Sequence, residues 1–98
     1  MRATDLAARF AGEEFVFLLP ETSLTGALVI AEKIRKTVNE LQLPQAALGI
    51  PHITASLGVI SARHLPGRSL TNLIAQADEQ LYLAKAGGRN RISAANAA

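Results

Sequence analysis

Ala11-Gly12-Glu13-Glu14-Phe15 sets two adjacent carboxylates directly behind two of the smallest residues. Small residues let a bulky ligand approach the backbone, and carboxylate oxygens are the hard donors that Mg2+ shares with substrate phosphates. A chain tip of this composition could hold a divalent cation and a nucleotide phosphate. On its own it describes a solvated surface hairpin equally well. Lys85 and Arg89 stand near the end of an apolar-periodic stretch, where a cation is favourable with or without a ligand. Arg2 and Asp5, three apart, would as a bare pattern be a surface pair worth little energy. His52 and His64 lie in stretches read as loops, with no carboxylate or cysteine cluster beside them to complete a metal site, and are read as solvated.

These residues must be positioned by regular elements. Leu6 to Pro20 reads as two short extended runs about Ala11-Gly12, because Phe15, Phe17 and Leu19 alternate with Val16 and Leu18. Both faces of the second run are apolar, which predicts a central strand covered on each side and ended by Pro20. Leu24, Ala27, Leu28, Ala31, Ile34, Val38 and Leu41 recur at helical spacing, with Glu32, Lys33, Arg35, Lys36 and Glu40 largely opposite. Thr22 or Ser23 caps that helix. Leu43 to Pro51 reads as a loop, and Ile53 to Val59 as a strand. His64 to Ser69 is a second loop, with Ser69 the N-cap of a helix whose core face is Leu70, Leu73, Ile74, Ala77, Leu81 and Ala84. Gly87 and Gly88 stop this helix, and Arg91 to Ser93 add a last short strand. Two helices with one apolar stripe each predict an α+β fold of ferredoxin-like type, in which both pack on one face of a mainly antiparallel sheet.

The bulk properties narrow the function. The 98 residues make one domain at most, and 49% hydrophobic against 18% charged residues places them among globular chains. A net charge of +2 with scattered basic residues, and aromatics gathered mostly in one apolar run, argues against a nucleic-acid partner. The absence of cysteine excludes a disulfide framework and is compatible with a reducing cytosol. No apolar run approaches the ~20 residues that cross a bilayer.

Taken together, Arg2-Ala3-Thr4-Asp5, Ala11 to Phe15, Leu19-Pro20, Thr54 to Val59, Ala77-Asp78 and Tyr82-Leu83-Ala84-Lys85-Ala86-Gly87-Gly88-Arg89-Asn90 closely resemble the GGDEF family of diguanylate cyclases over almost the whole chain. The resemblance implies a nucleotidyl-cyclase-like fold and an enzyme whose two domains, facing each other as a homodimer, condense two GTP into cyclic di-GMP and two pyrophosphates. It implies Mg2+ or Mn2+ as cofactor, with Glu13 at the metal-binding acidic position and Glu14 supporting the metal or the reacting hydroxyl. Consecutive strand side chains point to opposite faces, so the two address one ion only if the turn bends the strand, and Glu13 is the stronger candidate. Ala11 and Gly12 match the residues over which the nucleotide passes, and Lys85 and Arg89 the phosphate-contacting pair. Arg2 and Asp5 match the inhibitory product-binding site, five residues ahead of the signature. Lys33 falls where many members place a second product-binding arginine; lysine keeps the charge but loses the planar fork.

Two departures accompany these matches. Ala11 replaces the first glycine of the signature, adding a methyl group beside the expected nucleotide. The family's first strand and first two helices, with a second metal-binding aspartate and the guanine-recognising residues, are expected upstream of Met1. Residues 1–98 are then the C-terminal portion of one GGDEF domain, inactive alone, in a parent on the cytoplasmic side that is free or membrane-anchored. Two alternatives stand beside the cyclase: a catalytically degenerate domain that receives cyclic di-GMP through Arg2 and Asp5, and a structural ferredoxin-like domain.

Overall fold

The structure is a computed structural model that describes residues 4–10, 15–18, 22–42, 53–63 and 69–97. Six elements follow in order: β1 (Thr4–Phe10), β2 (Phe15–Leu18), α1 (Leu24–Leu41), β3 (Leu57–Arg63), α2 (Leu70–Ala86) and β4 (Ile92–Asn96). The strands form one sheet in the order β2-β1-β3-β4. β1 runs antiparallel to β2 and to β3, while β3 and β4 are parallel, so the sheet is mainly antiparallel as expected.

Both helices start where their caps dictate. The Ser23 hydroxyl accepts from the Gly26 N–H at 3.1 Å, and the Ser69 hydroxyl from the Asn72 N–H at 3.0 Å, each satisfying a donor that the first helical turn leaves unpaired. α1 buries Ala27 and Ala31, and α2 buries Leu73, Ala77, Leu81 and Ala84. Leu70, expected on the core face of α2, is exposed, because the sheet begins to cover the helix only from Leu73.

The helices lie on opposite faces of the sheet, not on one. Leu57 and Val59 pack with Ala8, Ala27 and Ala31 on the α1 side, whereas Ile60 and Ala62 pack with Leu73 and Ala77 on the α2 side. Alternate residues of a strand face opposite ways, so β3 is sandwiched between the two helices. Its continuous burial from Leu57 to Ala62 is the mark of a strand covered on both sides. That role, expected for the Phe15 run, therefore falls to β3, and β2 stands at the edge of the described sheet with Phe17 exposed. The third strand also runs later than the reading from Ile53 to Val59, since β1 pairs with it from Leu57 to Arg63. β4 extends to Asn96 because parallel pairing with β3 recruits the small residues after Ser93, and the Ala97 N–H continues the ladder to the Ser61 carbonyl at 2.7 Å.

α1 covers the β3 and β4 half of its face and leaves a cleft of about 110 Å3 over the rest, lined by Ala8, Phe17, Ile30 and Leu57 among other apolar residues. α2 approaches its own face far more closely. A β-carbon on Gly58 would lie 2.3 Å from both the Ala77 carbonyl oxygen and the Leu81 backbone nitrogen, so helix backbone rests directly on strand backbone. Replacing Gly58 with alanine must lift α2 from the sheet. Overpacking of this kind costs ~1–3 kcal/mol, and Gly58→Ala is expected to lower the unfolding free energy by that amount in urea denaturation, without changing the m-value.

Candidate functional site

One row of paired residues crosses the sheet: Phe15 opposite Phe10, Phe10 opposite Leu57, and Leu57 opposite Ile92. This row marks one end of the sheet. Residues 11–14 connect Phe10 to Phe15 there, and the segment joining α2 to Ile92 arrives at the same end. Phe10 and Phe15, the residues that flank 11–14 in the chain, thus stand at the sheet end that also receives Lys85 and Arg89. Arg2, Ala11, Gly12, Glu13, Glu14, His52 and His64 themselves lie outside the described residues.

The end of α2 is closed by a two-bond cap. The Gly88 N–H donates to the Lys85 carbonyl at 3.2 Å and the Arg89 N–H to the Ala84 carbonyl at 3.0 Å, the paired 5→2 and 6→1 bonds of a Schellman motif about Gly87 as C-cap. The left-handed residue is Gly88, with φ +123°, and not Gly87, which stays helical. Lys85 occupies the last helical turn, and Arg89 is the second residue past the Gly87 C-cap; among the described residues neither cation meets a carboxylate. Capping turns the carbonyls of Ala84 and Lys85 inward, which lessens the negative field that a helix C-terminus would set against an anion. Two unneutralised cations four residues apart then make a place that favours a polyanion.

Arg89 and Asn90 both adopt positive φ, 63° and 48°, a conformation that costs an L-residue roughly 1–2 kcal/mol and that asparagine tolerates best. Their surroundings hold them there. The Asn90 N–H donates to the buried Ser56 hydroxyl at 3.0 Å, and the Leu57 N–H to the Arg91 carbonyl at 3.0 Å, stitching the segment to the start of β3. Arg91 Nε donates to the Arg89 carbonyl at 3.1 Å. From the opposite layer, Arg35 Nη1 on α1 donates to Asn90 Oδ1 at 2.9 Å. Arg35 is itself gripped by Glu32 through two bonds, Nε to Oε1 at 2.8 Å and Nη2 to Oε2 at 2.6 Å. These bonds hold the Glu32 carboxyl below its ordinary value and raise Arg35 above its own.

On the other side of the sheet, Arg9 Nη1 on β1 donates to Asp78 Oδ2 on α2 at 2.8 Å. Arg9 pairs opposite Gly58, where α2 touches the sheet, and it is the penultimate residue of β1 before residues 11–14. This ion pair was not readable from the sequence: the partners are separated by 69 residues and nothing local marks them as a pair. The Glu32 and Arg35 pair carried a signal, being one turn apart on a helix, but its extension to Asn90 did not.

Of the residues expected at an inhibitory site, Asp5 lies on β1 and Lys33 on α1. Asp5 pairs opposite Ala62 at the other end of β1, some ~17 Å along the strand from Phe10 at ~3.3 Å per residue. Lys33 is exposed on α1 and makes no ion pair among the described residues. No group of three His, Cys, Asp or Glu among the described residues could hold a metal ion. No described helix is long and apolar enough to cross a membrane.

Two measurements test this local account. Gly88→Ala places a β-carbon at φ +123° and 2.6 Å from the Arg91 guanidinium, and is expected to cost about 1–2 kcal/mol in urea denaturation. A carboxyl depressed on folding contributes stability above its unfolded value and loses it as pH falls through the folded one. The Glu32 side-chain carbon is therefore expected to titrate below 4.5 in carbon-detected NMR, and to return toward 4.5 in Arg35→Met.

Known proteins resemble this chain in sequence and in fold. The family model described as "Diguanylate cyclase, GGDEF domain" matches residues 1–91. Diguanylate cyclase DgcM of Escherichia coli K12 is 45% identical over 94 residues, 96% of this chain and 22% of that protein. Response regulator PleD of Caulobacter vibrioides is 43% identical, over 94% of this chain and 20% of its own length, and Diguanylate cyclase A of Treponema denticola 39%, over 94% and 24%. The chain therefore spans about a fifth to a quarter of the curated relatives it matches. The solved GGDEF domain of DgcB from Caulobacter crescentus, in complex with c-di-GMP, superposes with a TM-score of 0.77 at 22% identity, covering 94% of this chain and 78% of that one, and shares the fold. Sequence and architecture agree, and the chain belongs to the GGDEF domain family.

Proposed function

We propose that the polypeptide carrying this chain is a diguanylate cyclase that condenses two molecules of GTP into cyclic di-GMP, with Lys85 and Arg89 engaging the triphosphate and Glu13 and Glu14 serving the reacting end. The observation that carries the reading is that Phe10 and Phe15, which flank residues 11–14 in the chain, stand at the sheet end that receives Lys85 and Arg89, two cations that meet no carboxylate among the described residues.

In each of two condensations the 3'-oxygen of one GTP bonds to the α-phosphorus of the other, the bond from that phosphorus to the bridging oxygen breaks, and pyrophosphate leaves. Charge accumulates on the departing phosphates, where the ammonium and guanidinium act electrostatically. Glu14 supports the cation or the attacking hydroxyl, and the nucleotide passes over Ala11 and Gly12. When bound, Mg2+ or Mn2+ supplies Lewis-acid polarisation of the phosphoryl group, and Glu13 is the carboxylate that would hold it. A single domain presents one GTP, so catalysis requires a second copy facing it. Cyclic di-GMP returns as an inhibitor at Arg2 and Asp5, assisted by Lys33 of α1; Asp5 stands at the end of β1 remote from Phe10. Use of GTP places the domain on the cytoplasmic side.

A second reading is favoured by one residue. Ala11 stands where the family's signature has glycine, and a methyl group that crowds the nucleotide would leave a receptor for cyclic di-GMP with no turnover. Cyclic di-GMP formation from GTP and Mg2+, measured on the native polypeptide that contains these residues, separates the two. Turnover that falls by about 10²-fold or more in Glu13→Ala, and loses product inhibition in Asp5→Ala, supports the cyclase. No product from the wild type or from Ala11→Gly, with cyclic di-GMP still bound in an Asp5-dependent manner, establishes the receptor.

A further inference from the structure

Arg89 occupies a backbone conformation that L-residues disfavour, with φ 63°, and is followed by a second such residue, Asn90, with φ 48°. Two consecutive positive-φ residues in an exposed segment persist only where their neighbours over-determine them. The peptide unit of Arg89 is fixed at both ends, its N–H by the Ala84 carbonyl and its carbonyl by Arg91 Nε. What fixes the direction of the segment lies one residue on. Asn90 is bonded through its N–H to Ser56 Oγ at 3.0 Å and through Oδ1 to Arg35 Nη1 at 2.9 Å, with Arg35 held in a bidentate grip by Glu32. Ser56 belongs to the sheet side and Arg35 to α1, so Asn90 ties the segment after α2 to two other parts of the fold. The Arg89 guanidinium takes no part in these bonds and has no carboxylate partner among the described residues.

We propose that Asn90, anchored by Arg35 and Ser56, is a positioning residue that aims the Arg89 guanidinium at the phosphoryl groups of the bound nucleotide. The inference rests on the reading that Arg89 meets the triphosphate, and goes beyond it in assigning the cause of that orientation to α1. The competing account is that Asn90 is merely a residue that tolerates positive φ, and that an exposed bond from Arg35 contributes little. Glycine separates the two, because it accepts positive φ more readily still but has no oxygen for Arg35 to bond. Aspartate keeps the acceptor and tolerates the conformation.

The test compares Asn90→Gly, Asn90→Asp, Arg89→Met and the Arg89→Met, Asn90→Gly double variant in the native polypeptide. Steady-state cyclic di-GMP formation is the first readout, and calorimetric titration with magnesium pyrophosphate the second. Asn90→Gly is expected to lower kcat/KM for GTP by about tenfold, with a loss in kcat as well as a higher KM, and to weaken pyrophosphate by about tenfold. Asn90→Asp is expected to stay near the wild type. Asn90→Gly should add nothing once Arg89 is replaced, since a residue acting through another is non-additive with it. If Asn90→Gly lost its fold, Arg35→Met would cut the same bond from the α1 side. An unchanged kcat/KM, or the same penalty in the wild-type and Arg89→Met backgrounds, overturns the proposal. Should the wild type convert no GTP, the cyclase reading fails separately, and the pyrophosphate titration decides the positioning on the same comparison: a weakening that vanishes in the Arg89→Met background supports it, and its absence overturns it.

Discussion

The rest of the structure depends on the contact of α2 with Gly58. A strand and a helix normally stand apart by the thickness of their side chains; here the backbone of Ala77 and Leu81 rests on a residue that has none. That contact fixes the height and register of α2 over the sheet. Asp78, one residue after Ala77, then meets Arg9, which pairs opposite Gly58 on the neighbouring strand. The same register delivers the capped end of α2 to the sheet end marked by Phe15, Phe10, Leu57 and Ile92. A single missing side chain thereby relates the strand that leads into the two glutamates to the helix that carries the two cations.

Electrostatics explains why the cations stand where they do. The C-terminus of a helix is the wrong end for an anion, since its last carbonyls carry negative partial charge. The Schellman cap turns two of those carbonyls to internal N–H donors, and Lys85 and Arg89 bracket the cap without being neutralised by any described carboxylate. An anion here would therefore be held by side-chain charge working against a muted dipole, in contrast to sites at helix N-termini where the backbone itself attracts the anion. The requirement falls on holding long, flexible cationic side chains in place. Hydrogen bonds from both α1 and the start of β3 reach Asn90, the residue after Arg89.

Sheet coverage shows where pattern reading succeeds and where it stops. The caps Ser23 and Ser69, the span of α1 and the two extended runs on either side of residues 11–14 were legible because they arise from interactions within a few residues. The placement of both helices on one face was not correct, and neither was the central position of the Phe15 run. Apolar stripes state that a helix must be covered but not by which face of which sheet. The decisive observation, that β3 presents Leu57 and Val59 to one helix and Ile60 and Ala62 to the other, needs the fold.

The sequence by itself determined the chemistry available: two carboxylates behind small residues, two cations at a helix end, a glycine pair to stop that helix, and a family signature spread along almost the whole chain. Residue type and local spacing suffice for these because capping, turn formation and periodicity are short-range effects. Only the tertiary structure decided that the cations and the residues flanking 11–14 share one end of the sheet, that Asp5 stands at the other, and that Arg9 reaches Asp78 and Arg35 reaches Asn90. Those pairings join residues 69 and 55 positions apart, and they exist because the backbone of α2 closes on Gly58 and the α2 end turns back over β3 toward α1. Long-range contacts of this kind follow from packing of whole elements, and no window of sequence contains them.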